Sequence, residues 1–249
     1  MTKKQTAIDK TLVLLNTFKE PPHQYTAREL SEKLGFNKAT VHRILNTLVD
    51  HNFVNKREGG HYHVGYGTYL VGMQYPKMQD VYAEIRNVVN SLAAKTKLQV
   101  GYSILRDNKV ISVYESASFN QQIAYMPGEM YPVNGGVYGK VLMANTYTLK
   151  VLKNLVHEID LDSAYPGSIT DPKLFYKALE TTKLKGYALS DGEHIEGEIG
   201  IGAPVYKRDG TFHGSIALSG IKSEALLARK KDLIQEVLES ATAIGQLLL

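Results

Sequence analysis

The chain has 249 residues, 43% hydrophobic and 22% charged, with no cysteine and a formal net charge of +4. That length supports one large or two modest domains with buried cores, and the composition excludes a disordered or fibrous chain. The lack of cysteine excludes disulfide frameworks, thiolate zinc sites, iron–sulfur clusters and cysteine nucleophiles, and fits a reducing compartment. No apolar run approaches the roughly 18 residues of a membrane span, and Lys3, Lys4, Asp9 and Lys10 break any signal-peptide pattern. A cytoplasmic protein with no membrane partner is expected.

The charge is unevenly divided. Residues 1–75 hold 10 Lys+Arg against 6 Asp+Glu, and the remainder holds 19 against 19, so the whole basic excess lies in the first third. Five of the eight histidines (His23, His42, His51, His61 and His63) lie there too. A basic N-terminal part beside a neutral remainder is the pattern of one module that meets a polyanion and another that does not.

In chain order, Ile8, Leu12, Leu15 and Phe18 stand at helical spacing, and Pro21-Pro22 stops that helix. Thr26 and Glu29 form a capping-box pair ahead of Leu30 and Leu34, and Gly35 ends a second helix of about two turns. Asn37 caps a third, with Val41, Ile44, Leu45 and Leu48 on one face and Lys38, Thr40, His42, Arg43 and Asn46 on the other. A short helix, a tight turn and a polar-faced helix is the helix-turn-helix pattern. Phe53-Val54, the basic Lys56-Arg57 tip, a Glu58-Gly59-Gly60 turn and His61 to Val64 then read as a hairpin wing. The polar face supplies groups for base edges and phosphates. Arg43 is the candidate guanine reader, with Lys56 and Arg57 on the backbone. His61 and His63 share a strand face, yet no third or fourth ligand accompanies them, so no metal is expected.

Thr68 to Met73 suits a connecting helix and Val81 to Ala94 a second, with Val81, Ile85, Val88, Val89 and Leu92 inward. Strands follow: Gln99 to Leu105 and Val110 to Glu115 about an Arg106-Asp107-Asn108-Lys109 turn, then Ile199 to Tyr206 and Thr211 to Ser219 about Asp209-Gly210. Between them Thr170 or Asp171 caps a helix with Pro172 in its first turn, closed by Gly186, and Ser223 to Leu249 is a final helical stretch. These elements predict an α+β domain with an antiparallel sheet. The expected organisation is a winged helix-turn-helix over 1–66, a linker helix over 67–78 and a second domain over 79–249.

Three segments resemble the IclR family of bacterial transcriptional regulators. They are Lys38 to Leu48, similar to its recognition helix; Pro132 to Ala144, similar to its glycine-lysine segment; and Gly186 to Gly197 with Ala203-Pro204-Val205 and Leu218-Ser219-Gly220. The resemblance implies a winged helix followed by a GAF-like effector-binding domain, acting as a homodimer or dimer of dimers on a double-stranded DNA operator and responding to a small organic acid. Carried over residue by residue, it implies a ligand site at Asn134, Gly135, Gly136, Tyr138, Ser190, Asp191, Gly200, Ala217 and Ser219. Tyr138 stands where small residues are usual, Ser190 where the family usually has aspartate, and Ala217 where serine is frequent. Gly135-Gly136 lets backbone approach a small ligand, and Tyr138 and Met143 are expected to form an apolar wall.

Asn134 to Lys140 is not a nucleotide-binding loop, because Asn134 and Val141 stand where that motif needs glycine and a hydroxyl residue. The acidic run Asp191, Glu193, His194, Glu196 and Glu198 offers acid–base or metal chemistry if helical, but Gly192 and Gly197 favour a loop rimming a pocket. No catalytic motif appears and no cofactor is expected. The reading is a ligand-responsive regulator; the rival is a small-molecule enzyme with a basic N-terminal appendage.

Overall fold

The computed structural model describes residues 5–74, 80–116, 125–161 and 163–248, with only the backbone of Asp80 and Val81. The chain forms two compact units, Met1–Asp80 and Val81–Leu249. The expected linker 67–78 enters residues 75–79, outside the described residues.

In the first unit, helix α1 (Ala7–Thr17) starts at a capping box that the sequence reading passed over: Thr6 accepts from the Asp9 N–H and the Asp9 carboxylate accepts in return. The stripe expected to be buried is so only at its C-terminal end, where Phe18 is buried and Leu15 packs against the core. Ile8 and Leu12 are exposed, while Leu14, Thr17 and Phe18 are buried. Strand β1 (Gln24–Thr26) leads into α2 (Ala27–Leu34), where Thr26 and Glu29 form the expected capping box and Gly35 ends the helix at φ 65°. Helix α3 (Lys38–Asp50) is capped by Asn37, whose Oδ1 accepts the Thr40 N–H at 2.7 Å. Val41, Ile44, Leu45 and Leu48 join Leu14, Leu30, Val54 and Tyr62 in one core. The wing strands β2 (Val54–Lys56) and β3 (His61–Val64) pair as expected, but β1 joins them, giving a three-stranded sheet in the order β1-β3-β2 rather than a two-stranded hairpin. A short α4 (Tyr66–Gly72) follows.

The second unit is an antiparallel six-stranded sheet. Its strands are β4 (Gln99–Arg106), β5 (Lys109–Glu115), β6 (Met130–Pro132), β7 (Ala188–Asp191), β8 (Glu198–Tyr206) and β9 (Phe212–Ile221), in the order β6-β5-β4-β9-β8-β7. The β4–β5 turn places Asp107 and Asn108 at φ 49° and 55°, a conformation that suits Asp and Asn. The short β6 and β7 were not foreseen.

Alternation along the strands separates two faces. Val100, Tyr102, Ile199, Ile201, Ile216 and Leu218 form an apolar core with α5 (Asp80–Thr96), α9 (Glu224–Ala228) and α10 (Lys230–Leu247). Val88, expected to be buried, is only partly so, and Val81's side chain lies outside the described residues. The opposite face is made of small and polar residues in paired rows: Gln99, Ser219, Gly200 and Ser190, then Gly101, Ala217, Gly202 and Ala188. On it lies α6 (Val137–Thr146), flanked by α7 (Leu149–Leu155) and α8 (Pro172–Lys185), which Asp171 caps. A Cβ on Gly202 would meet Val137 at 2.8 Å, so that position must be glycine for the helix to lie so close.

Candidate functional site

Two places concentrate chemistry, one in each unit. In the first, α3 exposes Lys38, His42, Arg43 and Asn46, with Thr40 half-buried. Opposite them the apolar residues of the same helix fill the core, so the fold fixes which face meets the outside. In the wing, Arg57 stands at the turn, its N–H donating to the His61 carbonyl at 2.8 Å, and is exposed. The Lys56 ammonium lies 5.6 Å over the Tyr62 ring, which holds its stem against the wing.

In the second unit a cavity of about 20 Å³ lies between the N-terminal end of α6, the small-residue face of the sheet and the loop 192–197. Space of that size admits about one water molecule. Its walls are Tyr125, Gly136, Val137, Ser190, Glu193, His194, Ile195, Glu198, Gly200 and Ser219. Gly136 caps α6 at φ 112°, and a Cβ there would meet the Tyr125 hydroxyl at 2.7 Å. The loop turns at Gly192 and Gly197, both with φ above 70° or at it, so the acidic run forms a loop that rims a cavity, as its glycines suggest. His194 lies in a box of tyrosine rings: flat on Tyr125 (4.3 Å, 9°), tilted on Tyr165 (4.1 Å) and edge-on to Tyr131 (5.9 Å).

The electrostatics are those of buried charges. Lys140 on α6 is 4% exposed, and its ammonium donates to the Leu189 carbonyl and to Glu193 Oε1, the latter at 2.6 Å. Burial pulls the Lys140 ammonium down and pushes the Glu193 carboxyl up, while their pairing opposes both shifts; the Gly136 N–H also holds Glu193 down. Glu198 is pushed up by burial against the pull of the Ser219 hydroxyl. Beside the cavity, Glu115 packs over Gly101 and accepts from Tyr138 (3.2 Å), Gln99 (3.3 Å) and Ser112 (3.4 Å). Burial pushes its carboxyl up to about 8.

Of the nine residues expected at a ligand site, Gly136, Ser190, Gly200 and Ser219 line this cavity. Gly135 adjoins it under Tyr165, its carbonyl accepting the Tyr125 hydroxyl at 3.1 Å. Asn134 is buried and donates to the Ile169 carbonyl at 3.1 Å. Tyr138 turns its hydroxyl to Glu115, and Ala217 packs against Gly202. Asp191 points outward to Lys222 at 2.6 Å. The expected apolar wall of Tyr138 and Met143 is not there: Met143 is buried in the helical core instead.

The sequence did not yield Tyr125, Tyr165, Glu115 or Lys140 as site residues. Lys140 carried a signal, a lone charge inside the apolar run Val137 to Ala144. Tyr125 and Tyr165 carried none, because only tertiary folding brings them to His194. Among the described residues no group of three or more His, Asp and Glu could hold a metal, and no helix is long and apolar enough to cross a membrane.

A winged helix-turn-helix followed by an α+β unit defines the class of helix-turn-helix transcriptional regulators. The profile of the bacterial transcriptional regulator IclR C-terminal region matches residues 73–246, and that of the IclR helix-turn-helix domain residues 7–58. The chain therefore belongs to the IclR family of transcriptional regulators. It is 24% identical to the HTH-type transcriptional regulator XynR of Escherichia coli K12 over 96% of this chain and 97% of that one. To KipR of Bacillus subtilis it is 22% identical, over 99% and 98%. The fold matches the IclR regulator of Alicyclobacillus acidocaldarius (TM-score 0.79, 24% identity, 98% of each chain). It also matches an IclR homologue from Microbacterium hydrocarbonoxydans complexed with 4-hydroxybenzoate (TM-score 0.74, 16% identity, 98% and 99%). These relatives are regulators and not enzymes, which removes the rival reading of an enzyme with a basic appendage.

Proposed function

We propose that this regulator, a cytoplasmic homodimer or dimer of dimers, binds a pseudo-palindromic DNA operator through α3 and the wing, and answers to a small organic acid held in the second unit. Lys38, Thr40, His42, Arg43 and Asn46 face base edges and nearby phosphates, with Arg43 bidentate on a guanine, and Lys56 and Arg57 neutralise the backbone. Two copies on a two-fold site need a self-complementary surface. Ile8 and Leu12 on α1, and Tyr66, Tyr69, Leu70 and Val71 on α4, are exposed apolar side chains that suit one.

The observation that carries the effector reading is the cavity at the α6 N-terminal end. It combines a glycine amide and the Ser190 and Ser219 hydroxyls with Glu193, whose carboxylate pairs behind the cavity wall with the buried Lys140. Asn134, Gly135, Tyr138 and Ala217 support it from behind, and Asp191 marks the base of its loop. The relative crystallised with 4-hydroxybenzoate fits an acidic effector.

The test is a gel shift on DNA upstream of the protein's own gene, with and without a panel of small carboxylic acids, beside a thermal-shift series. An acid at a hundred times its Kd stabilises the unit by about 2.7 kcal/mol. An acid that raises the melting temperature and changes operator affinity supports the reading. DNA binding that no acid of the panel alters, with no thermal shift, overturns the effector half of it.

A further inference from the structure

We propose that the loop 192–197 is an internal ligand: the Glu193 carboxylate occupies the place of an effector carboxylate on Lys140, His194 occupies the place of the effector's ring, and a flat carboxylic acid binds by exchanging for them. This rests on the cavity being the effector site.

Four observations carry it. The cavity of about 20 Å³ is too small for any organic acid, so one of its walls must leave. Two walls are fixed: α6 lies in contact with the glycines of β8, and β8 and β9, which carry Gly200 and Ser219, are paired on both sides. The wall that can leave is the loop, bounded by Gly192 and Gly197 at φ 70° and 77°, and it contributes Glu193, His194 and Ile195. Glycines at both ends give it the backbone freedom to swing out.

Charge decides what can replace it. The Lys140 ammonium is buried behind Glu193, which is its one anionic partner among the described residues, at 2.6 Å, and stands between it and the cavity. A carboxylate arriving with Glu193 in place would meet Glu193 and Glu198 together, two like charges at short range in a poorly solvated space. A carboxylate arriving as Glu193 departs keeps one anion on the cation and reuses the Gly136 N–H. The ring follows the same logic. His194 stacks flat on Tyr125 at 4.3 Å and meets Tyr165 at 4.1 Å with a 59° tilt, so its departure leaves a slot against the Tyr125 face, edged by Tyr165 and next to the place Glu193 vacates. A glutamate and a histidine adjacent in sequence thus imitate a carboxylate joined to a planar ring.

The experiment is chemical rescue in the full-length protein, using sodium acetate and sodium benzoate against sodium chloride at equal ionic strength. In Glu193→Ala the internal competitor is gone, and acetate is expected to raise the melting temperature with half-saturation at least about tenfold below that of wild type. Glu193→Gln, which keeps a neutral amide near Lys140, is expected to show the same ordering and serves if the alanine variant does not fold. Removing His194 as well is expected to sharpen the response to benzoate and leave acetate unchanged. In Glu193→Gln/Lys140→Met the rescue disappears. Acetate acting on Glu193→Ala and Glu193→Gln no differently from chloride, or rescue that survives loss of Lys140, overturns the exchange. If an acid still stabilises wild type in that case, the effector cavity stands and the internal ligand alone fails. If rescue occurs but no acid alters operator affinity, the exchange stands and the regulatory reading fails.

Discussion

Helices α3 and α6 begin alike, each at a cap followed by a lysine within the first four residues, and they use their charges in opposite ways. Helix α3 buries Val41, Ile44, Leu45 and Leu48 and leaves Lys38, His42 and Arg43 in water. Helix α6 buries eight consecutive residues, Val137 to Ala144, with Lys140 among them. An exposed cation on α3 loses little solvation and gains from each phosphate it neutralises, which suits a long polyanion read by many weak contacts. The buried cation on α6 needs one anion at one place, which suits a single small ligand or a loop that stands in for it. The contrast predicts where substitutions act: on α6 they change stability, on α3 affinity alone.

The largest expected effect comes from breaking the buried pair. Lys140→Met leaves Glu193 facing the cavity without its cation. The cost is about 3 kcal/mol, at the low end for a broken buried pair because Glu193 keeps some access to water. Replacing Glu193 by Met as well should recover most of that loss, read as urea midpoints with an unchanged m-value. A single variant as stable as wild type would contradict the burial argument.

Glu115 gives the next effect, and its sign is fixed. Its folded-state carboxyl, pushed up to about 8, holds a proton more tightly than the unfolded chain does. The stability it contributes is complete below its ordinary value of 4.5 and is lost as pH rises towards and through 8. The loss is on the order of a few kcal/mol. Glu115→Gln should remove that slope and be the more stable protein at pH 8.5, so parallel pH profiles for the two would refute it.

The same contrast explains how much the sequence could tell. A helix with one wet face prints its period, so α3, its Asn37 cap and the Thr26–Glu29 box were legible, as were the hairpins at Asp107-Asn108 and Asp209-Gly210. A helix buried all round prints no period, and the α6 segment reads as a glycine turn followed by an apolar run. Strands of three or four residues, such as β1 and β6, show themselves only through partners: Tyr25 on β1 is set opposite Tyr62 by pairing, not by any pattern around it. In α1 the apolar residues encircle the helix, so spacing alone could not separate exposed Ile8 and Leu12 from buried Leu14. Of the site, the glycines and serines were readable through resemblance and the acidic loop through its glycines. Tyr125, Tyr165 and Glu115 depend on contacts made across the fold.

On the exposed side of the comparison, Arg43→Ala should cost about 1–3 kcal/mol of discrimination against the wrong base at one operator position while leaving the melting temperature unchanged. Operator affinity and sequence preference equal to wild type, in a gel shift with the folded variant, would show that another residue reads that position.

The wing should give the smallest and least selective effect. Arg57 is exposed at the turn, and Lys56 rests over Tyr62 with its ammonium near the surface, so both charges are already placed and their phosphate contacts need little ordering. Each contact releases about 0.9 of a counterion, so Lys56→Ala/Arg57→Ala should flatten the slope of log K against log salt by about 1.8. All duplexes should weaken alike, because phosphates carry no sequence. The Lys56 part has a second consequence that Arg57 lacks. Removing Lys56 also uncovers the Tyr62 ring, so Lys56→Ala alone should lower stability by about 0.5–1 kcal/mol, and Arg57→Ala by nothing measurable. A wing whose double variant lost one operator selectively would be reading bases, and the division between a reading helix and a merely anchoring wing would then have to be given up.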